Sequence, residues 1–244
     1  MPWSRASLSF CLLVALGCAS TPGGGPPDDA PSCDAVECGT YEPLDPAAKL
    51  DGFEYSSAPL TFGAACSEGA RVTVAAVGDL LLHGALQRQA YSHPDHFRSL
   101  WSEVRPLLAR ADVTYANLEG TVARGVLRSG RATEDPGLVF GDVYSSYPLF
   151  NYHPVLVDDL VASGVDVVST ANNHSLDRRE LGVDRTIDAL EAGALPSTGT
   201  RRRGAERQWV AHTEAGGFRL AWLACTYGTN GIPDPEDLVL ECYE

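Results

Sequence analysis

From Arg71 onward, short apolar β-branched runs alternate with stretches whose apolar residues fall three and four positions apart. "RVTVAAV" is such a run and predicts a strand buried on both faces. The chain then turns through "GDLLLHG". "HFRSLWSEVRPLLARA" places Phe97, Leu100, Trp101, Val104, Leu107 and Leu108 on one stripe, predicting a helix over residues 96–110 that Pro106 kinks or divides. "DVTYAN" predicts a second strand. Residues 120–150 are rich in Gly, Ser and Tyr without period, and predict a long loop across the surface. "PVLVDDLVASG" predicts a helix closed by Gly164, "VDVVST" a third buried strand, and "LGVDRTIDALEAG" a helix ending at Gly193. "RQWVAHTEAGGFRLAWLACTYG" holds two strand-like runs joined at Gly216-Gly217, a hairpin.

Strands alternating with helices define an α/β domain, in which polar groups at the carboxyl ends of strands converge on a site. Three predicted strands end in polar clusters: Gly78-Asp79, Asn117-Leu118-Glu119 and Asn172-Asn173-His174. Asp79, Glu119 and Asn173 offer hard oxygen donors, and His83 stands four residues beyond Asp79. These donors suit one or two divalent ions such as Mn, Zn, Fe or Mg, which activate water for attack on a phosphoryl or acyl centre. His174, directly after Asn173, is placed to protonate a leaving group or bind a developing oxyanion, and Asp177 to hold its tautomer. Each residue also has a plainer reading. Asp79 and Asp177 suit helix caps, Glu119 a solvated loop, Asn172 or Asn173 a left-handed turn, and His83 a ring packed over a helix start. Independent caps and turns, however, have no reason to gather at the ends of three strands.

The region before Arg71 changes the picture of where the domain works. Arg5 and the ten-residue apolar "LSFCLLVALG" form a signal peptide too short to span a bilayer. Gly17 precedes Cys18, resembling a bacterial lipoprotein signal over residues 1–18 in which Cys18 carries the lipid. An ordinary secretory signal cut near "CAS" is the alternative; both predict export to the cell envelope, and the first predicts anchoring in a lipid bilayer. Residues 19–69, opening "STPGGGPPDDAPS", read as a tether to a domain over residues 70–244. In an exported protein Cys33 and Cys38 are the expected disulfide, with Cys66, Cys225 and Cys242 left over. Eighteen basic against thirty-two acidic residues give a net charge of −14, a field that repels phosphate backbones, so no nucleic-acid partner is expected.

Taken in order, "VAAVGDLLLHG", "ADVTYANLEGTV", "GVDVVSTANNHSLDRRELGV", "TIDALEAGALPSTGT" and "FRLAWLACTYGTN" resemble the bacterial capsule-synthesis family, the CapA-type proteins of poly-gamma-glutamate synthesis. That family is similar to the calcineurin-like metallophosphoesterases. The resemblance implies a metallophosphatase αββα sandwich with a dinuclear metal centre at the strand ends. Asp79 matches its first metal aspartate, Glu119 its bridging carboxylate, Asn173 its metal-binding Asn and His174 its catalytic His; His83 lies near a metal His at different spacing. Family members continue past the hairpin with an "H-W-G"-like strand end and a "G-x-H-x-H"-like motif carrying further His ligands. This sequence reads "DPEDLVLECYE" there, and His212 does not match, so only the N-terminal part of the sandwich is expected. Three functions follow. The first is synthesis, export or anchoring of a polyanionic polymer; the second is a metal-dependent phosphoesterase or nucleotidase; the third is a non-catalytic envelope binding protein.

Overall fold

The computed structural model describes residues 70–243; the Cys33–Cys38 pairing, the leader with Cys18 and the tether lie outside them. Four strands form one parallel sheet in the order β1 (Val74–Asp79), β2 (Val113–Asn117), β3 (Val167–Ser169), β4 (Ser197–Thr198). Helices α1 (Gly84–Ser92) and α2 (Arg105–Leu108) connect β1 to β2, α3 (Val155–Ala162) connects β2 to β3, and α4 (Arg179–Ala192) connects β3 to β4. The antiparallel hairpin β5 (Ala211–Ala215) and β6 (Phe218–Trp222) follows.

Side-chain alternation along β2 and β3 builds a layer on each side of the sheet. Ala116 and Val168, with Leu118 just past β2, pack with Phe97, Leu156, Leu160 and Leu190 from the helical side. Val113, Tyr115 and Val167 face the other way, against Ala211, Leu220 and Trp222 of the hairpin, where the Tyr115 and Trp222 rings stack 5.7 Å apart. The result is the α/β, metallophosphatase-like arrangement of helix layer, parallel sheet and second-sheet hairpin.

Several local expectations need correction. β1 is the edge of the sheet, and Val74, Ala76 and Gly78 are exposed, so it is not buried on both faces. The helix expected over residues 96–110 is a 3-10 turn at His96–Leu100 and a separate α2. Pro106 in the first turn of α2 has no N–H to continue a helix from upstream, and Val104 and Leu107 of the expected apolar stripe are exposed. α1 was not signalled, because its buried positions are Gly84, Gln87 and Ala90. A stripe without large apolar residues leaves no periodicity to detect; Gln87 is held there by donating to the carbonyls of Leu82 and Ser145.

Residues 120–150 have no helix or extended strand; their middle, residues 128–142, lies largely at the surface as expected, but the two ends are packed inside. Val122, Ala123, Val126, Tyr144 and Phe150 are buried. The Asn151 side chain ties the excursion together, donating to the carbonyls of Ala123 and Val143 and accepting from Ala123 N–H and Thr121 Oγ1. Fully buried Arg178 adds bonds to the carbonyls of Val126 and Val143 and to Ser145 Oγ. Burial lowers its guanidinium pKa to about 10.

The turn glycines divide into two kinds. Gly216 and Gly217 at φ 58° and 82° form the expected hairpin turn, and Gly164 at φ 90° ends α3. Gly193 caps α4 with φ −85°, and the left-handed residue is Ala194 at φ 52°. Space explains the glycine, since a Cβ at 193 would lie 2.5 Å from Val157 Cγ1.

Candidate metal and acid–base site

Because the four strands run parallel, their carboxyl ends share one edge, where register sets Asp79 opposite Asn117, Asn117 opposite Ser169, and Ser169 opposite Thr198. A shift in register between Ala76 and Asp79 gives β1 one extra residue against β2. In a strand of period two, that irregularity changes the side Asp79 faces and sets it level with Asn117. A hydrogen-bonded row then crosses the edge. Asn117 Nδ2 donates to Asp79 Oδ1 at 2.8 Å, Ser169 Oγ donates to Asn117 Oδ1 at 2.7 Å, and Tyr115 OH donates to Ser169 Oγ at 2.7 Å.

Glu119 follows β2 and is 9% exposed. Its main-chain oxygen accepts the Tyr152 hydroxyl at 2.7 Å, and the same hydroxyl accepts Leu82 N–H, which joins the loops after β1 and β2. Burial first, and the Asp79 carboxylate within hydrogen-bonding reach second, push the Glu119 carboxyl up to about 7. Among the described residues no Lys or Arg forms an ion pair with Asp79 or Glu119.

The segment after β3 is shaped by Asn172 rather than by a left-handed residue. Asn172 Nδ2 donates to the Leu118 carbonyl at 2.8 Å, its Oδ1 accepts His174 N–H at 3.1 Å, and its own N–H is taken by Ser175 Oγ at 2.8 Å. Neither Asn172 nor Asn173 has positive φ. This turn brings His174 inside, 8% exposed, with Nδ1 2.8 Å from Asp177 Oδ2 and Nε2 3.9 Å from Glu119 Oε1. Asp177 is fully buried; Oδ2 also accepts Phe150 N–H, and Oδ1 has no partner. An Nδ1–H donated to Asp177 leaves the His174 Nε2 lone pair directed at the Glu119 side. The Phe150 ring meets His174 edge-on at 4.8 Å and His83 at 5.2 Å.

The structure therefore brings together Asp79, Glu119, His174 and Asp177, with Asn173 on the same turn, half-buried. His83 stands at the start of α1, exposed, with its ring edge-on to Phe150. Among the described residues no three His, Cys, Asp or Glu side chains gather closely enough to hold a metal ion alone. The donor chemistry fits a hard divalent cation, because two adjacent carboxylates without a Lys or Arg partner are relieved by positive charge. Asp79, Glu119 and Asn173 would hold it, and when bound it would supply Lewis-acid polarisation and a lowered water pKa. Asn117 and Asn172 act as frame rather than donors, since both of their amide ends are spent within the protein. Asn230, from the loop after β6, also reaches this edge and was not foreseen. Its only signal was a polar residue between glycines in "YGTNG".

A parallel α/β sheet with acidic, amide and imidazole groups at one strand-end edge defines a metallophosphatase-like protein. The family model described as bacterial capsule synthesis protein PGA_cap matches residues 73–242, and the chain belongs to that family. Two relatives from Sinorhizobium fredii (strain NBRC 101917 / NGR234), "Uncharacterized protein y4uA" and "Uncharacterized protein y4sH", are each 31% identical over 153 residues. The alignments take in 63% of this chain and 30% of each relative.

The remaining cysteines give a result the sequence did not pair. Cys225 and Cys242 form a disulfide, flanked by hydrogen bonds from Thr226 N–H to Leu240 O and from Cys242 N–H to Thr226 O.

Proposed function

We propose that this protein acts at the bacterial cell envelope in the synthesis, export or anchoring of a capsular polyanion such as poly-gamma-glutamate. In this reading it uses a divalent cation held by Asp79, Glu119 and Asn173. Family membership supports the capsule role. The observation that carries the chemistry is the juxtaposition of the uncompensated Asp79–Glu119 pair with the buried His174–Asp177 dyad. Asp79, Glu119 and Asn173 would hold the cation, which when bound would supply positive charge for an anionic group of the polymer, and His174 Nε2 is placed to take or give a proton at that edge. Export and lipidation at Cys18 rest on the leader; among the described residues no helix is long and apolar enough to cross a membrane.

The test is genetic and chemical. Deleting the gene in its host should remove envelope polyanion, measured as glutamate in acid hydrolysates of washed envelopes. Complementation with the wild type should restore it, and Asp79→Asn or His174→Ala should not. Full restoration by both variants would overturn the site, and an unchanged envelope in the deletion strain would overturn the capsule role.

A second reading, a metal-dependent phosphoesterase, draws on the same dyad, because an Asp-held His beside acidic donors suits protonation of an ester's leaving oxygen. Turnover of a chromogenic phosphate monoester that needs Mn²⁺ and is lost in His174→Ala would favour it.

A further inference from the structure

The loop after β6 meets the candidate site at one side chain. Asn230 Oδ1 accepts a hydrogen bond from Asn173 Nδ2 at 3.2 Å, and Asn230 Nδ2 lies 3.5 Å from His174 Nδ1. The second contact is the weaker, since His174 Nδ1 is already engaged with Asp177 at 2.8 Å. The first has a chemical consequence. A side-chain amide binds a hard cation only through its oxygen, and its nitrogen end is a donor with nothing to offer a metal. With the Asn173 nitrogen engaged by Asn230, the amide cannot exchange its two ends without breaking that bond, and Oδ1 is the end left free.

Asn230 is itself held in place. It adopts φ 54°, a conformation Asn tolerates better than most residues. Its loop is closed by the Cys225–Cys242 disulfide, and Thr229 Oγ1 donates to the Ile232 carbonyl. Leu238 and Val239 anchor the returning strand of the loop against Leu176, Val183 and Ile187, the last two on α4. The contact to Asn173 thus comes from a braced loop rather than a freely hanging side chain.

We propose that Asn230 is a positioning residue that fixes the amide orientation of Asn173, so that its Oδ1 is presented to the divalent cation. This inference rests on the metal reading given above. Two variants separate the side chain from the backbone. Asn230→Gly removes the acceptor and suits positive φ, whereas Asn230→Asp keeps an oxygen acceptor at the same place. Mn²⁺ alone is titrated into the full chain by calorimetry, and each metal-free protein is melted in parallel.

Asn230→Gly should weaken Mn²⁺ binding roughly 10- to 100-fold, the usual effect of losing a group that orients a ligand, with metal-free melting unchanged. Asn230→Asp should bind at least as tightly as the wild type. Wild-type affinity in Asn230→Gly would overturn the inference, and so would equal weakening in both variants or a loss of affinity matched by a drop in metal-free melting. Absence of Mn²⁺ binding by the wild type would instead remove the metal reading, and the inference with it.

Discussion

The two sides of the strand-end edge are built on opposite principles. On the β3 side, His174 and Asp177 are buried, hydrogen-bonded to each other and to the main chain, and walled by Phe150. On the β1 side, Asp79 is exposed at the sheet edge, and its charge is set against the nearby Glu119 carboxylate. The protein supplies the partners of the first side from its own groups, Asp177 Oδ1 excepted. It leaves the second with excess negative charge that only a proton or a cation relieves. A held proton-handling group beside an unfinished charge site would suit the proposed metal-assisted chemistry, because the fixed half need not move when the other half is filled.

This contrast can be broken from either side. Asp177→Ala should be the most damaging change, lowering stability by about 3 kcal/mol in chemical denaturation, because it strips partners from His174 and the Phe150 N–H in a fully buried place. Asp79→Ala should cost no more than about 1 kcal/mol, since the lost acceptor for Asn117 Nδ2 is offset by relief of the repulsion on Glu119. Equal losses at the two positions would erase the distinction.

Asn151→Ala should cost roughly 2–3 kcal/mol by the same measurement, since it leaves several buried main-chain groups of the excursion unpaired. It should also loosen Phe150 from His174, visible as faster amide exchange at Phe150.

Glu119→Gln has a smaller expected effect than Asn151→Ala and the opposite sign. The folded state binds the Glu119 proton up to about pH 7, while the ordinary carboxyl releases it near 4.5. In chelator, wild-type stability should therefore fall as pH rises from about 4.5 to about 7. Glu119→Gln should flatten that fall and gain roughly 1–2 kcal/mol above it. A wild-type profile that rises across the window would contradict the burial of Glu119 beside Asp79.

Much of this edge is legible in the sequence. Short apolar runs gave β2 and β3, and in a parallel sheet their polar successors had to share one edge, so Asp79, Glu119 and His174 could be grouped from order alone. What escaped was whatever carries no hydrophobic period. Helix α1 buries Gly84, Gln87 and Ala90, and the 120–150 excursion is held by Asn151 and Arg178 through main-chain bonds that no pattern of side chains announces. The extra residue in β1 depends on pairing with β2, and β1's exposed position depends on which strands lie beside it. Asn230 and the Cys225–Cys242 bridge are tertiary returns of the chain, invisible to local spacing. The separate duties of Asn172 and Asn173 were likewise fixed only by their partners, Leu118 and Asn230.

The most direct test of the central claim is an equilibrium Mn²⁺ titration of the metal-free full chain, beside Asp79→Asn and Glu119→Gln. Saturable binding by the wild type, lost or strongly weakened in both variants, is the predicted result. No saturable binding, or binding that both variants retain unchanged, would contradict a cation site at Asp79 and Glu119.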